Sequence, residues 1–328
     1  MITMTEIAKL TGVSQPTVSR VLNGNTAVNP KIRERVLACA REHEFQPNVI
    51  AQSLVGSKTH LIGVVLTDIS NAFFADLVKY LEQEARKSGY SLILFNSNYN
   101  TEQEKESLAV VQRYRVDGLI VVPVDETSAQ WNAQIRRLDI PTVVITRHVE
   151  GMDSVYVTHR EAGAQVGRHL WEEGYEEYIF FGTTRDAKYQ GFAEELKKHG
   201  PGFGRKLTVI TSKEEAKVKA GLEAYFRKER GRTGIFAYND RRAVQMLGLL
   251  QMLGIDVPGQ AGLVGFDNTY MCEFLYPRLS SVSQPNEEMA TWAMKRLIRK
   301  IEDPEKGREV KNRALKATLI CRESSKKQ

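Results

Sequence analysis

The chain is predicted to fold as a small all-α headpiece followed by an α/β core of two doubly wound, parallel-sheet subdomains. Three observations predict this. Residues 1 to about 46 carry only short helical patterns, broken by cap residues and a glycine turn. From Leu61 onward, strand-like apolar runs alternate with amphipathic helical segments, the signature of β-α units on parallel sheets. About ten such strands exceed the usual size of a single sheet, so they divide into two.

In the headpiece, Ile2 to Ile7 fits a capping box. Thr3 caps, Glu6 reaches back, and Ile2 and Ile7 form the hydrophobic staple. This first helix runs to about Leu10 and stops at Gly12, which can take a positive φ. Ser14 is the expected N-cap of a second helix, with Val13 stapled to Val18. Pro16 then falls in the first helical turn, where N–H groups have no partner within the helix and proline forfeits nothing. A third helix starts at Asn29-Pro30, an N-cap followed by proline, and runs to about His43. Its apolar positions Ile32, Val36, Leu37 and Ala40 recur at helical spacing.

Residues 47–58, PNVIAQSLVGSK, form a link that could hold one or two helical turns. Isolated segments of this length are marginal helices in water. The core begins with strand LIGVVL (61–66), helix Phe73 to Ser88, strand SLILFN (91–96), helix Glu102 to Tyr114 and strand GLIVVP (118–123). It continues through PTVVIT (141–146), SVYVT (154–158), YIFFG (178–182), LTVIT (207–211), GIFAY (234–238) and AGLVGF (261–266), with helices between. A last helix, Glu287 to Ile301, precedes a strand expected over 314–320.

Composition bounds the function. The chain has 328 residues, 42% hydrophobic and 26% charged, enough apolar material for a real core. Its formal net charge of +6 permits nucleic-acid binding without demanding it. Cys39, Cys272 and Cys321 lie far apart, with no metal-ligand or disulfide spacing, which suggests a reducing compartment. No signal-peptide pattern opens the chain, and its apolar runs are too short to span a bilayer. The expected location is therefore cytoplasmic. No GxGxxG follows the first strand, no phosphate-binding GxxxxGK[ST] occurs, and no nucleophile–base pair is placed by spacing. No cofactor, metal or catalytic residue is expected.

Two short helices joined through Gly12 place Ala8, Gly12 and Val18 where a helix-turn-helix needs them. Gln15, Pro16, Thr17, Ser19 and Arg20 remain on the outer face, able to meet base edges and phosphates. Geometry alone leaves a small helical bundle equally open. Here GVSQPTVSRVLNG (12–24) resembles the signature of the LacI/GalR family of transcriptional repressors, and PNVIAQSL (47–54) resembles that family's hinge helix. The likeness continues in order through LIGVVLTDISNAFFADL, VDGLIVVP, IPTVVITR, KYQGF, YNDRRAV, LVGFDN, PRLSSVSQP and LICRESS, covering essentially the whole chain.

The resemblance implies a helix-turn-helix DNA-binding headpiece (1–46), a hinge helix and linker (47–58), and a periplasmic-binding-protein-like effector and dimerisation core (59–328). The expected N-subdomain comprises about 59–158 and 286–313, and the C-subdomain about 159–285 and 314–328. Gln15 and Pro16 would open the recognition helix in the major groove, with Arg20 one turn later. Thr3, Ser14, Thr17, Ser19 and Asn23 would complete the headpiece contacts, and Asn48, Ala51 and Leu54 those of the hinge. Leu54 would wedge into the minor groove; burial against the core is the alternative. The expected partner is near-palindromic double-stranded operator DNA, bound by a homodimer whose core contacts come from Phe74 to Leu81 and the last helix.

Ligands of doubly wound sheets sit at the carboxyl ends of the strands. That rule selects Asp68, Ser70, Asn71, Phe73 and Phe74 on one side, with Arg147 behind them, and Lys188, Asn239 and Asp267 opposite. The resembled family binds a small effector there, usually a sugar or nucleobase. This chain departs from the family pattern: Lys188 replaces the usual arginine, Thr146 an aspartate, and Thr158-His159 an Asp-Asn pair. Losing carboxylates beside Arg147, Lys188 and His159 points to an acidic effector, such as a sugar acid or sugar phosphate. Arg147 and His159 read equally well as exposed loop or helix-start residues. The function expected is a repressor of a carbohydrate-utilisation operon; the rival is a periplasmic sugar-binding protein without DNA function.

Overall fold

Thr3 caps the first helix, α1 (Met4–Thr11), through the anticipated box. Its hydroxyl accepts the Glu6 N–H at 3.3 Å while the Glu6 carboxylate accepts the Thr3 N–H at 2.7 Å. Gly12 ends that helix at φ 63°. Helix α2 (Gln15–Leu22) starts after Ser14, whose hydroxyl sits 2.9 Å from that of Thr17. Helix α3 (Pro30–Glu42) is capped by Asn29, which accepts the Lys31 N–H at 2.9 Å. Ile7, Ala8, Val18, Val21, Val36 and Ala40 bury together as the headpiece core.

This computed structural model describes residues 2–22, 27–45, 58–125, 127–199, 206–212 and 214–326. The chain forms two compact units, Met1–Thr59 and His60–Gln328. No helix among the described residues is long and apolar enough to cross a membrane.

The second unit contains two six-stranded sheets. The first lobe runs β1 (Leu61–Leu66), α4 (Ala72–Lys87), β2 (Ser91–Asn96), α5 (Thr101–Arg113), β3 (Gly118–Val121), α6 (Ala129–Arg137), β4 (Thr142–Ile145) and β5 (Ser154–Val157). The second runs α7 (His159–Glu172), β6 (Glu177–Phe181), α8 (Ala187–Lys197), β7 (Leu207–Ile210), α9 (Glu215–Phe226), β8 (Thr233–Ala237), α10 (Asp240–Met252), β9 (Ala261–Asp267), a 3-10 turn Tyr270–Glu273, and β10 (Ser280–Ser283). The chain returns to the first lobe as α11 (Asn286–Glu302), a single turn Pro304–Gly307, and β11 (Asn312–Leu315), then crosses back as β12 (Thr318–Ile320). Sheet orders are β11-β5-β4-β3-β1-β2 and β12-β10-β9-β8-β6-β7. Every pairing is parallel except β10 with β12.

One expectation needs correction. The strand expected over 314–320 is two strands in different sheets, β11 pairing with β5 and β12 with β10. The crossover therefore falls at Lys316-Ala317, later than the boundary expected after residue 313. An unbroken run of strand-forming residues does not reveal that its two halves have different neighbours. A further finding bears on the segments expected to pair, Phe74 to Leu81 and the last helix. Phe74, Leu77 and Leu81 of α4 are buried with Met289, Ala293 and Leu297 of α11 in one cluster. The apolar stripes of both helices are spent inside the subunit, as amphipathic helices covering a sheet must be.

A buried charge cluster anchors α11. Asp153 has no exposed side-chain surface and accepts from Arg296 at 2.6 Å and also from Lys300. Arg296 extends the knot to the Gly307 carbonyl at 3.0 Å, which ties down the segment leading into β11.

Candidate functional site

The headpiece presents Ser14, Gln15, Pro16 and Arg20 to solvent, with Thr17 and Ser19 half-buried. Val18 and Val21, on the opposite side of α2, are in the core. The spacing of those two valines thus leaves a polar outer side opened by Gln15 and closed by Arg20. Thr3 is exposed, but its side chain is committed to the capping box. Asn23, Asn48, Ala51 and Leu54 lie outside the described residues, as does the hinge except for Lys58.

In the core, a cavity of about 70 Å³ lies between the lobes, at the carboxyl ends of β1, β3, β4, β8 and β9. Among the residues selected by the strand-end rule, Asn71, Phe73, Phe74, Arg147, Lys188, Asn239 and Asp267 line it, and so does His159. Asp68 and Ser70 do not. Asp68 Oδ1 instead accepts from the Ser70 hydroxyl at 2.6 Å, and Asp68 Oδ2 lies 3.1 Å from Arg241 Nη1. Their side chains satisfy one another and an arginine of the opposite lobe rather than the cavity.

Lys188 is 5% exposed. Its ammonium donates to the Tyr238 carbonyl at 3.0 Å and lies 3.9 Å and 4.1 Å from the Phe266 and Tyr238 ring centroids. Those rings stabilise a desolvated cation through their quadrupoles. His159 opens α7 with its ring edge-on to Phe266 at 5.5 Å. Burial holds this imidazole well below its ordinary pKa, and the charges of Lys188 and Arg147 push it further down. Asp267 closes β9 at φ 108°. Burial pushes its carboxyl up to about 7, Lys188 pulls it back, and Asp240 adds repulsion. Asn239 caps α10, its side-chain oxygen accepting the Arg242 N–H at 3.0 Å.

Thr67, Tyr99, Val122, Pro123, Val124, Tyr238 and Gln284 also line the cavity, and residue type alone does not select them. Most follow directly on a strand end, so the rule that selects Asn239 and Asp267 reaches them when it is extended to every residue type. Thr146 lines the cavity too and carries φ 69°, a strained value for a β-branched residue. A wider groove of about 1020 Å³ adjoins the cavity, sharing Phe73, Asp267 and Gln284. The chemistry is that of a binding site: two basic side chains, one carboxyl that resists ionisation, amide dipoles and aromatic faces. Among the described residues, no group of three or more His, Cys, Asp or Glu is placed to hold a metal ion.

Residues 3–48 match the lacI family of bacterial regulatory proteins, and residues 168–325 match a periplasmic binding protein-like domain. The HTH-type transcriptional regulator RegA of Clostridium saccharobutylicum is 30% identical over 98% of both chains. A lacI-family regulator from Silicibacter pomeroyi superposes over the full length of both chains with TM-score 0.82 and 26% identity. A LacI family transcriptional regulator from Enterococcus faecium with bound ribose matches 81% of this chain and 98% of its own, with TM-score 0.71 and 26% identity. With the helix-turn-helix and the two-lobed core both in place, this chain belongs to the lacI family of bacterial regulatory proteins, DNA-binding transcriptional regulators with a periplasmic-binding-protein-like core.

Proposed function

We propose that the protein is a cytoplasmic repressor of a carbohydrate-utilisation operon, released or engaged by a small acidic sugar derivative bound between the lobes. The observation that carries the effector class is the charge of the cavity wall. Lys188 and Arg147 face a single carboxyl, Asp267, whose ionisation burial opposes. A sugar acid or sugar phosphate would neutralise this excess, while its hydroxyls would meet the amides of Asn239 and Gln284. A related regulator with bound ribose supports a sugar-sized ligand. The headpiece would read DNA through Gln15, Pro16 and Arg20, with Ser14, Thr17 and Ser19 at the backbone. Nothing among the cavity residues pairs a nucleophile with a base, which favours recognition over catalysis. The helix-turn-helix favours a regulator over a free sugar-binding protein.

The protein would act as a homodimer. Besides the outer faces of α4 and α11, the turn after β9 offers a surface that suits pairing. There Tyr270, Phe274 and Tyr276 are exposed, with Met252 also exposed on α10. Clustered exposed aromatics of this kind mark interaction sites.

Calorimetric titration with gluconate, glucuronate, glucose 6-phosphate and neutral glucose tests the effector class. Binding of the acidic sugars and not of glucose is expected; tight binding of neutral sugars alone would refute it. Selection of bound genomic fragments identifies the operator, and carbohydrate genes beside it are expected.

A further inference from the structure

A cavity of about 70 Å³ is far below the roughly 300 Å³ at which ligand pockets begin. If this cavity takes the effector, the lobes must part to admit it. Arg241, Asp68 and Ser70 join the two lobes beside this cavity, close in sequence to the lining residues Thr67, Asn71 and Asn239. Asp68 and Ser70 belong to the loop after β1, directly before the cavity residues Asn71, Phe73 and Phe74. Arg241 sits in the first turn of α10, two residues beyond Asn239. Its Nη1 reaches Asp68 Oδ2 at 3.1 Å and the Ser70 hydroxyl at 3.4 Å. Asp68 is held ready, because its other oxygen accepts both the Ser70 N–H at 2.9 Å and the Ser70 O–H at 2.6 Å. The Asp68 side chain is 17% exposed and that of Arg241 67%.

We infer that Arg241, clamped on Asp68 and Ser70, is a latch that holds the two lobes closed over the cavity. The inference rests on the effector reading of that cavity, but it concerns only the lobes. The crossover segments join the lobes through the backbone, while the latch joins them through side chains, one on the first turn of α10 and two in the loop after β1. An exposed pair is weak and screened by salt, so it biases the closed arrangement without locking it. Asp68 and Ser70 thereby acquire a role that sugar contact does not supply: they set how often the cavity opens.

Hydrogen exchange on the full-length protein, with no ligand added, tests this. The reporting peptides carry Val122–Val124, Thr146–Arg147 and Tyr238–Asn239. Arg241→Ala and Asp68→Asn should each speed their exchange about two- to fivefold, the range of an exposed ion pair. The double variant should be no faster than Arg241→Ala, because both remove one interaction. Added 0.5 M NaCl should speed exchange in the wild type and not in Arg241→Ala. Unchanged exchange in Arg241→Ala, additive effects in the double variant, equal salt response in both proteins, or acceleration throughout the core would each overturn the latch. A failed sugar titration would leave these results standing, and a failed latch would leave the effector reading standing.

Discussion

Gln284 Nε2 donates to Asp267 Oδ1 at 2.7 Å, inside a cavity where the Asp267 carboxyl titrates at about 7. Burial raises this carboxyl, and the repulsion of Asp240 adds to the shift. Folded Asp267 therefore binds its proton more tightly than in the unfolded chain, whose value is near 3.8. Its contribution to stability is fully present below the unfolded value and is lost as pH rises through the folded one. Asp267→Asn should remove that slope and stabilise the core at pH 8 by on the order of 1–3 kcal/mol, with a smaller effect at pH 5.5. Urea unfolding at the two pH values measures it. Equal stability differences at both would show that the carboxyl is not held protonated.

Gly163 and Gly191 let α7 and α8 meet backbone to backbone. A Cβ at Gly163 would lie 2.0 Å from the Lys188 carbonyl oxygen, and one at Gly191 1.8 Å from that of Arg160. This contact brings the start of α7, with His159, against the start of α8, with Lys188. Gly163→Ala should lower stability by about 1–3 kcal/mol, the usual cost of overpacking. It should also weaken binding of whichever acidic sugar the wild type binds, because Lys188 must move. Urea midpoints and calorimetry report the two effects separately. Gly248, on α10, has no neighbour within reach of its Cβ and provides the control, since Gly248→Ala should be neutral or slightly stabilising.

Much of this is legible in the sequence, for reasons that particular residues explain. Thr3, Glu6, Gly12 and Asn29 act through neighbours a few positions away, so their spacing alone reveals the headpiece helices. Asn239 and Asp267 are legible because the strand before each ends unmistakably. Asp68 and Ser70 mislead because they sit at a strand end like the cavity residues. Only the fold shows that Arg241, 173 positions from Asp68, reaches them. Partners so distant leave no local pattern. The apolar faces of α4 and α11 look free in the sequence for the same reason: each helix covers the other, and neither segment alone records it. Residues 314–320 show a further limit, since strand propensity does not state which sheet a strand joins.

The exposed turn after β9 supplies a test of assembly. Phe274 and Tyr276 are 78% and 89% exposed. Tyr270 lies with its ring 6.4 Å from that of Phe274, and Gln251 fixes the turn by donating to the Tyr276 carbonyl at 2.9 Å. Replacing an exposed ring with a charge should leave the subunit intact while opposing burial in a pair. Phe274→Asp should therefore weaken self-association by about 30-fold or more, the scale of an interface hot spot, with an unchanged melting temperature in the dilute monomer range. Light scattering across a concentration series reads the effect. A variant that dimerises like the wild type would place the interface elsewhere. Phe74→Asp, by contrast, should unfold the first lobe, since Phe74 is buried within the subunit.

Arg20 and Gln15 are both exposed on α2 but stand at its opposite ends and at opposite edges of its outer side, and the two ends of such a helix meet different parts of a duplex. Gln15, in the first turn, suits an adenine edge through its paired amide donor and acceptor. Arg20, in the last turn and exposed, can reach either a guanine edge or a phosphate. The two roles separate by measurement on operator fragments recovered from genomic selection. Gln15→Ala, which removes a base-reading side chain, should cost about 1–3 kcal/mol and relax specificity at one base pair. If Arg20 contacts phosphate, Arg20→Ala should weaken all sequences alike and lower the salt slope by about one. If it reads guanine, the loss should concentrate at one base pair. Affinity unaffected by either change would remove α2 from the DNA interface altogether. Pro16 adds a third measurement, because a first-turn proline has no helical N–H to lose. Pro16→Ala should leave headpiece stability nearly unchanged, so any fall in operator affinity would report its apolar ring on the DNA.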